Sequence, residues 1–126
     1  MPVLDDSRAL EVVKALSDEY SRKILLAIIS KPLSIEEICA ESHVPVSTCY
    51  RRVRELENHG IIRPEETIIT EDGKKFIRYV SRLKQATIIL DSQELKVDIV
   101  PNAPGEEKLR WMWSTIKEAD VPKSQT

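Results

Sequence analysis

The sequence contains little of what several large protein classes require. Only three of its 126 residues are glycine, and no glycine-rich loop occurs, which excludes nucleotide binding by a P-loop or a Rossmann turn. Two cysteines are too few for a disulfide scaffold, and they do not form a metal-ligand quartet. The longest apolar run, Ile24 to Ile29, has six residues, far short of the roughly 20 that span a bilayer.

The composition is that of one soluble globular domain with a helix or a tail to spare. Hydrophobic residues make up 41% of the chain and charged residues 32%, which is not the balance of a disordered protein. The N-terminus has neither a basic flank nor an apolar core, so no secretory signal is expected. We therefore expect a cytoplasmic protein with no membrane partner.

The charges are unevenly distributed along the chain. The net charge of −2 argues at first sight against a nucleic-acid partner. From Val46 to Lys84, however, nine basic and six acidic residues give a segment charge of +3. The ten basic and fifteen acidic residues elsewhere give −5. A basic middle between acidic ends is the electrostatic footprint that a phosphate-bearing partner requires.

Helical spacing of apolar residues predicts two helices before residue 31. The first begins at a cap among residues 5–7 and ends near Ser17 and Asp18. The second continues to about Ser30 and ends before a short extended piece at residues 31–33. Its expected inward face consists of Tyr20, Ile24, Leu25, Ile28 and Ile29.

Two further helices follow, joined by a tight turn. Ser34 and Glu37 have the spacing of a capping box, so a short third helix begins there. It ends before Pro45, because a residue preceding proline is disfavoured in the helical region. The fourth helix runs over residues 46–59 and stops at Gly60, which suits a left-handed C-terminal cap.

Beyond Gly60 the apolar period changes from that of a helix to that of a strand. Residues 67–70 and 75–80 flank an Asp-Gly turn, which is a strong hairpin signal. Residues 86–90 and 95–100 predict a second hairpin. The expected organisation is a domain over residues 1–100, a linker at 101–105, a helix at 106–120 and a disordered tail at 121–126.

The order helix, helix, short strand, helix, tight turn, helix, hairpin is that of a winged helix-turn-helix. The stretches LSIEEICA (33–40) and VPVSTCYRRVREL (44–56) resemble the core of ArsR-type winged-helix transcription regulators, and the archaeal members most closely. The resemblance covers about Leu10 to Val80. His43 occupies the turn position where this motif usually has glycine, so we expect left-handed backbone there. The fold class implied is α+β, mainly helical, with an additional β-hairpin and a C-terminal dimerisation helix.

The faces of the fourth helix follow from its geometry, because a helix advances about 100° per residue. The inward face is expected to carry Cys49, Val53, Leu56 and Gly60. The outward face is expected to carry Ser47, Tyr50, Arg51, Arg54 and Asn58. A flank between them carries Thr48, Arg52, Glu55 and His59. A hydroxyl, a phenol and two guanidiniums near its start are what a recognition helix presents to base edges.

These side chains divide by the DNA groups that they suit. Arg51 or Arg54 could contact guanine through two hydrogen bonds, whereas Thr48 and Arg52 are better placed for phosphates. The hairpin supplies candidates for the backbone or the minor groove, although its acidic tip would repel phosphate. The predicted DNA-binding set is Ser47, Thr48, Tyr50, Arg51, Arg52, Arg54, Lys74, Lys75 and Arg78.

Three alternatives remain open at this stage. The arginines could simply be a solvated helix face. The domain could also be a protein–protein adaptor without specific DNA binding. Cys39 and Cys49 are expected to face each other across the helix-turn-helix elbow, so they are either a redox pair or two small buried apolar residues. The first reading of that pair predicts a thiol-redox-responsive regulator.

The resemblance implies a homodimer built from the first and last helices. The residues expected at that interface are Leu10, Val13, Leu109, Met112, Trp113 and Ile116. A two-fold dimer would place two recognition helices about one helical turn of DNA apart, which implies a pseudo-palindromic operator. No catalytic constellation and no convincing metal-ligand set occurs, so we predict neither an enzyme nor a metal or other cofactor.

Overall fold

Residues 6–102 are described by a computed structural model, with side chains from Arg8 onward. The elements, in chain order, are α1 (Asp6–Ser17), α2 (Glu19–Ala27), β1 (Leu33–Ser34), α3 (Ile35–Ser42), α4 (Val46–Asn58), β2 (Ile62–Ile69), β3 (Lys75–Ser81), β4 (Leu83–Leu90) and β5 (Leu95–Pro101). The chain divides into two compact units, Ala15–Arg82 and Met1–Lys14 with Leu83–Thr126. The described helices and small antiparallel sheets form an α+β architecture.

The unit Ala15–Arg82 contains the larger described core. Ile24 and Ile28 of the α2 region and Ile38 of α3 are fully buried, each burial contributing about 1.5–3 kcal/mol. Around them lie Ala15, Leu25, Leu33, Val44, Cys49, Val53, Leu56, Ile61, Ile62, Tyr79 and Val80, all buried. The predicted inward face of α2 is therefore confirmed at its centre, while Tyr20 and Ile29 at its margins are half-buried.

The starts of α2 and α3 are both capped by side chains, and the cap of α3 is the one that the sequence predicts. Asp18 caps α2 by accepting a hydrogen bond of 2.8 Å from the Ser21 amide. Ser34 and Glu37 form the expected capping box of α3: the Glu37 amide donates to Ser34 Oγ at 3.2 Å, and the Ser34 amide donates to Glu37 Oε1 at 2.9 Å. Each pairing satisfies backbone donors that the first helical turn leaves free.

The turn between α3 and α4 depends on one residue in the left-handed region. His43 has φ 58° and ψ 30°, as predicted, and its amide donates to the Cys39 carbonyl at 3.1 Å. Gly60 has φ 72° and terminates the helix after α4, which confirms its predicted role as a left-handed cap. These two residues fix where α4 begins and where β2 leaves it.

Strand β3 is the centre of a three-stranded antiparallel sheet in the order β1-β3-β2. Leu33 pairs with Tyr79, and Ile62 pairs with Ser81. The register shifts between Pro64 and Glu66, because proline cannot donate to a ladder and a bulge accommodates it. The short extended piece predicted at residues 31–33 is thus a strand at Leu33–Ser34, which begins two residues later than expected.

Several boundaries differ from the sequence-based prediction, and strand β4, for example, begins at Leu83 and not at residue 86. Helix α2 ends at Ala27 and not near Ser30, because Ile28 leaves the helical region at φ −117° and closes the helix with a bond to the Leu25 carbonyl. Strand β2 begins at Ile62 and not at residue 67, because pairing with β3 continues past the bulge at Pro64. The Ile28 carbonyl also accepts a 3.0 Å hydrogen bond from the Ser81 amide. The end of α2 and the start of β2 therefore both involve partners distant in the sequence, which local periodicity does not contain.

The second unit consists, in its described part, of residues 6–14 and 83–102. Strands β4 and β5 form the second predicted hairpin, with Leu90 paired to Leu95 beside its turn. The Asp91 carboxylate accepts hydrogen bonds from the amides of Gln93 and Glu94, both at 2.9 Å, and so closes that turn. In the described part of this unit, the buried apolar residues are Ala9, Val12, Leu83, Val97 and Ile99.

The predicted C-terminal elements lie outside the described residues. These are most of the linker at 101–105, the helix at 106–120 with its four expected interface residues, and the tail at 121–126. Within residues 6–102, no helix has the length and apolarity needed to cross a membrane. In the same part of the chain no group of histidine, cysteine or acidic residues is arranged to hold a metal ion.

Candidate nucleic-acid interface

Helices α3 and α4 form a helix-turn-helix around a three-residue turn. Val44 in this turn is buried, so the turn is anchored to the core of its unit. Pro45 precedes α4 without any side-chain cap, and the first turn of α4 contains no acidic residue. The first amides of α4 therefore keep the partial positive charge that attracts a phosphate.

The inward face of α4 is apolar and fully enclosed, as its sequence predicts. Cys49, Val53 and Leu56 recur at helical spacing and are all buried. Their burial fixes the rotation of α4 about its own axis, because turning the helix would expose all three. The opposite face must then point to solvent. It carries Ser47, Arg51, Arg54 and Asn58, which are exposed, and Tyr50, which is half-buried.

The two outward arginines have few commitments within the protein. Arg51 lies 3.6 Å from Glu55, an exposed pair one helical turn apart of the kind that contributes only about 0.3–0.5 kcal/mol. Arg54 makes no hydrogen bond or ion pair with any residue of the part that the structure describes. Both guanidiniums are therefore available to an external partner.

Tyr50 is held by a residue of the preceding helix. Its hydroxyl donates a 2.8 Å hydrogen bond to Glu36 Oε1. This bond raises the pKa of Tyr50, since the carboxylate favours the protonated phenol. The pKa of Glu36 is lowered, first by its own backbone amide and then by Tyr50. The phenol is thus positioned on the outward face, with a carboxylate beside it.

Arg52 is occupied by an ion pair inside the unit. Its Nε lies 3.0 Å from Asp18 Oδ2, and its Nη2 donates to Asp18 Oδ1 at 3.0 Å. Although partial burial raises the pKa of Asp18, hydrogen bonds from Ser21 and the charge of Arg52 bring it below the usual value. Since Asp18 also caps α2, this pair ties the start of α2 to the middle of α4.

The hairpin of β2 and β3 carries two kinds of basic residue. Lys74 and Lys75 lie at its tip, where both residues are exposed and Gly73 turns the chain at φ 85°. Arg78 lies deeper, where Nε donates to Glu37 and Nη1 to Glu66, each at 3.1 Å. Those two carboxylates, Glu66 first, raise the pKa of Arg78. Arg78 thereby links the hairpin to α3.

Cys39 and Cys49 interact across the elbow, as the sequence predicts. Burial, followed by a hydrogen bond with the Cys39 thiol, raises the pKa of Cys49 to about 12. Cys49 is fully buried, whereas Cys39 is half-buried, and both are free thiols. A thiol with so high a pKa carries almost no thiolate at neutral pH and is a poor nucleophile.

The nine predicted DNA-binding residues are thus divided by the structure. One group remains exposed on the outward face of α4 and on the hairpin tip: Ser47, Arg51, Arg54, Lys74 and Lys75. Half-buried Thr48 lies on the flank, and Tyr50, Arg52 and Arg78 have acidic partners. The sequence did not predict the acidic partners Asp18, Glu36 and Glu66. It also did not predict that Glu37, which caps α3, has a second role as a partner of a basic side chain. Only the capping spacings of Asp18 and Glu37 could have indicated that these side chains are fixed.

One comparison with known proteins bears on this site. A family model described as winged helix-turn-helix DNA-binding matches residues 17–63. The matched stretch contains α2, β1, α3, α4 and the start of β2, and the tip of the hairpin lies beyond it. No curated protein matches the chain. The match supports a winged helix-turn-helix family, and the described helices and antiparallel sheets are consistent with a winged-helix α+β fold.

Proposed function

We propose that this chain is a sequence-specific double-stranded DNA-binding transcription regulator that acts as a homodimer. Helix α4 enters the major groove, and the hairpin of β2 and β3 contacts the DNA backbone or the minor groove. The regulator acts by occupying promoter DNA. The match of residues 17–63 to a DNA-binding family supports the DNA partner.

The observation that carries the proposal is the division of arginines on α4. Arg52 is held by Asp18, whereas Arg51 has a single weak exposed pair and Arg54 has none among the described residues. Guanidiniums that serve the fold are paired, so those left free on one exposed face are the ones that a ligand can use. The fork of donors on arginine matches O6 and N7 of guanine in the major groove.

The groups around these arginines suit the DNA backbone. The first turn of α4 offers uncapped amides together with the hydroxyls of Ser47 and Thr48. Lys74 and Lys75 extend from the hairpin tip, where they can reach phosphates beside the groove. Such contacts fix the position of α4 on the duplex without selecting a sequence.

We also propose a homodimer and an ArsR-like family relationship. Leu10 is 47% exposed on α1 and Val13 is half-buried, so α1 presents apolar surface that a second copy could cover. A two-fold dimer implies a pseudo-palindromic operator with half-sites about one helical turn apart. The stretches 33–40 and 44–56 support an ArsR-like relationship with archaeal members.

The experiment that tests this proposal is selection from random duplex DNA, followed by salt titration of the selected sequence. The variant Arg51→Ala/Arg54→Ala is compared with Lys23→Ala/Lys31→Ala, which removes the same charge from the exposed surface of another part of the unit. We expect a selected palindrome that only the α4 variant fails to distinguish from random DNA. If neither the wild type nor the control binds DNA at low salt, the adaptor function is the better account.

A further inference from the structure

The hairpin of β4 and β5 has one face that is entirely apolar. Directly paired residues of an antiparallel ladder lie on the same face. The pairs on this face are Leu90 with Leu95, Ile88 with Val97 and Ala86 with Ile99. The opposite face carries the pairs Ile89 with Lys96, Thr87 with Asp98 and Gln85 with Val100. The first set is named the apolar hairpin face below.

The apolar hairpin face is only partly covered. Val97 and Ile99 are fully buried, but Ile88 is 46% exposed and Leu90 is 80% exposed. A two-stranded hairpin is marginally stable by itself and needs a third strand or a helix packed on its apolar side. The exposed half of this face, beside the turn, is therefore where a covering element is required.

We propose that residues 106–120 of the same chain, named the C-terminal segment, cover the apolar hairpin face as a helix. The sequence of this segment, which lies outside the described residues, predicts an amphipathic helix with one apolar stripe, Leu109, Met112, Trp113 and Ile116. Its remaining positions are mostly charged, including Glu106, Glu107, Lys108 and Arg110. A helix with a single apolar stripe suits one sheet face.

Chain length and direction favour this occupant. Strand β5 ends at Pro101, at the end of the hairpin opposite the turn. The four residues 102–105 then separate it from the C-terminal segment. A helix of 15 residues is about 22 Å long, and the 8-residue strand β4 is about 26 Å long. A helix that returns along β5 therefore reaches Ile88 and Leu90.

The assignment changes one part of the expected dimer. A stripe that covers its own hairpin is not free to pack against a second copy, so α1 with Leu10 supplies the apolar part of the protomer contact. The alternative is that the segment covers the hairpin of the partner subunit. The two arrangements bury the same residues, and they differ in whether coverage depends on protein concentration.

Tryptophan fluorescence tests this proposal in the full chain, because both tryptophans, Trp111 and Trp113, lie in the C-terminal segment. In a Trp111→Phe background the emission reports Trp113 alone. Ile88→Lys places a charge on the apolar hairpin face, and Ile89→Lys places the same charge on the opposite face. Leu90→Lys repeats the test at a site that is 80% exposed and unimportant for the described packing.

The proposal expects Trp113 to be shielded from acrylamide at every protein concentration. Ile88→Lys and Leu90→Lys should increase the acrylamide quenching constant severalfold and shift the Trp113 emission to the red. Ile89→Lys should leave the quenching constant and the emission unchanged. Far-ultraviolet circular dichroism confirms that each variant is folded. The proposal would be overturned if, in the protein with an unsubstituted hairpin, acrylamide quenched Trp113 as strongly as it quenches free tryptophan. Equal responses of the three variants would overturn it too. Shielding that is lost on dilution would overturn it in favour of the partner's segment. None of these outcomes depends on DNA binding.

Discussion

At the scale of single residues, Cys39 and Cys49 show how burial sets the chemistry of a side chain. Cys49 is fully buried, and this burial, with the neighbouring Cys39 thiol, raises its pKa to about 12. Only a thiolate attacks electrophiles at a useful rate. The position of Cys39 beside Cys49 suits a disulfide, whereas the protonation of Cys49 opposes its formation.

We predict that iodoacetamide modifies Cys39 well before Cys49 in the native protein at neutral pH. The physical reason is that Cys39 is half-buried, whereas Cys49 is enclosed and protonated. Mass spectrometry of the alkylated peptides measures the two rates, and urea-unfolded protein should show similar rates for both. Equal modification in the native state would contradict this account. A Cys39–Cys49 disulfide formed by peroxide, with altered DNA binding, would support the redox-responsive version.

At the scale of the elements, the pair of Asp18 and Arg52 holds α2 and α4 together. Asp18 combines two tasks: it caps α2 through the Ser21 amide and binds the half-buried guanidinium of Arg52. Asparagine caps a helix about as well as aspartate does, but it carries no charge. The two tasks can therefore be separated by substitution.

We predict that the free energy of unfolding falls from wild type to Asp18→Asn and further to Asp18→Ala. Loss of the cap costs about 1 kcal/mol. Loss of the carboxylate beside the Arg52 guanidinium, which then keeps only its 3.6 Å pair with Glu55, adds about 1–3 kcal/mol. Because the pKa of Asp18 is lowered from 3.8, its charge stabilises the fold above that pH. The advantage over Asp18→Asn should vanish as the pH falls through the lowered value. Urea unfolding across pH measures this, and equal stability of the two variants would contradict it.

The elements also show what the sequence could predict and what it could not. The capping box at Ser34, the left-handed turn at His43 and the buried stripe of α4 were predictable, because each depends on residues close in the chain. The partners of Arg52 and Arg78 were not, since Asp18 and Glu37 lie 34 and 41 residues away from them. The start of β2 was hidden by Pro64, whose bulge depends on pairing with β3.

At the scale of the whole molecule, charge and exposed apolar surface favour different partners. The net charge is −2, but the segment containing α4 and the first hairpin is +3, which directs that region to an anionic ligand. Val46 at the start of α4 and Ile69 on the first hairpin are also exposed, at 63% and 71%. Outside this segment, exposed apolar residues include Leu10 on α1 at 47% and Leu26 on α2 at 66%. Only the first of these two lies on the helix expected at the protomer interface.

We predict that Leu10→Glu converts a homodimer into a monomer, because the substitution places a carboxylate in the apolar contact. Leu26→Glu introduces the same charge at a more exposed site on α2 and should leave the dimer intact. Size-exclusion chromatography with light scattering measures both masses. A monomeric wild type, or two variants that dissociate equally, would contradict the proposed role of α1.

If exposed guanidiniums on α4 read base edges, Arg54→Lys should change sequence preference more than affinity. Lysine keeps the positive charge and loses the fork that binds two acceptors of guanine. The account predicts that this variant loses about 1–3 kcal/mol of base discrimination at one position of each half-site, while its non-specific affinity and salt dependence stay close to those of wild type. An unchanged sequence preference, measured by quantitative selection from the same DNA library, would contradict the account.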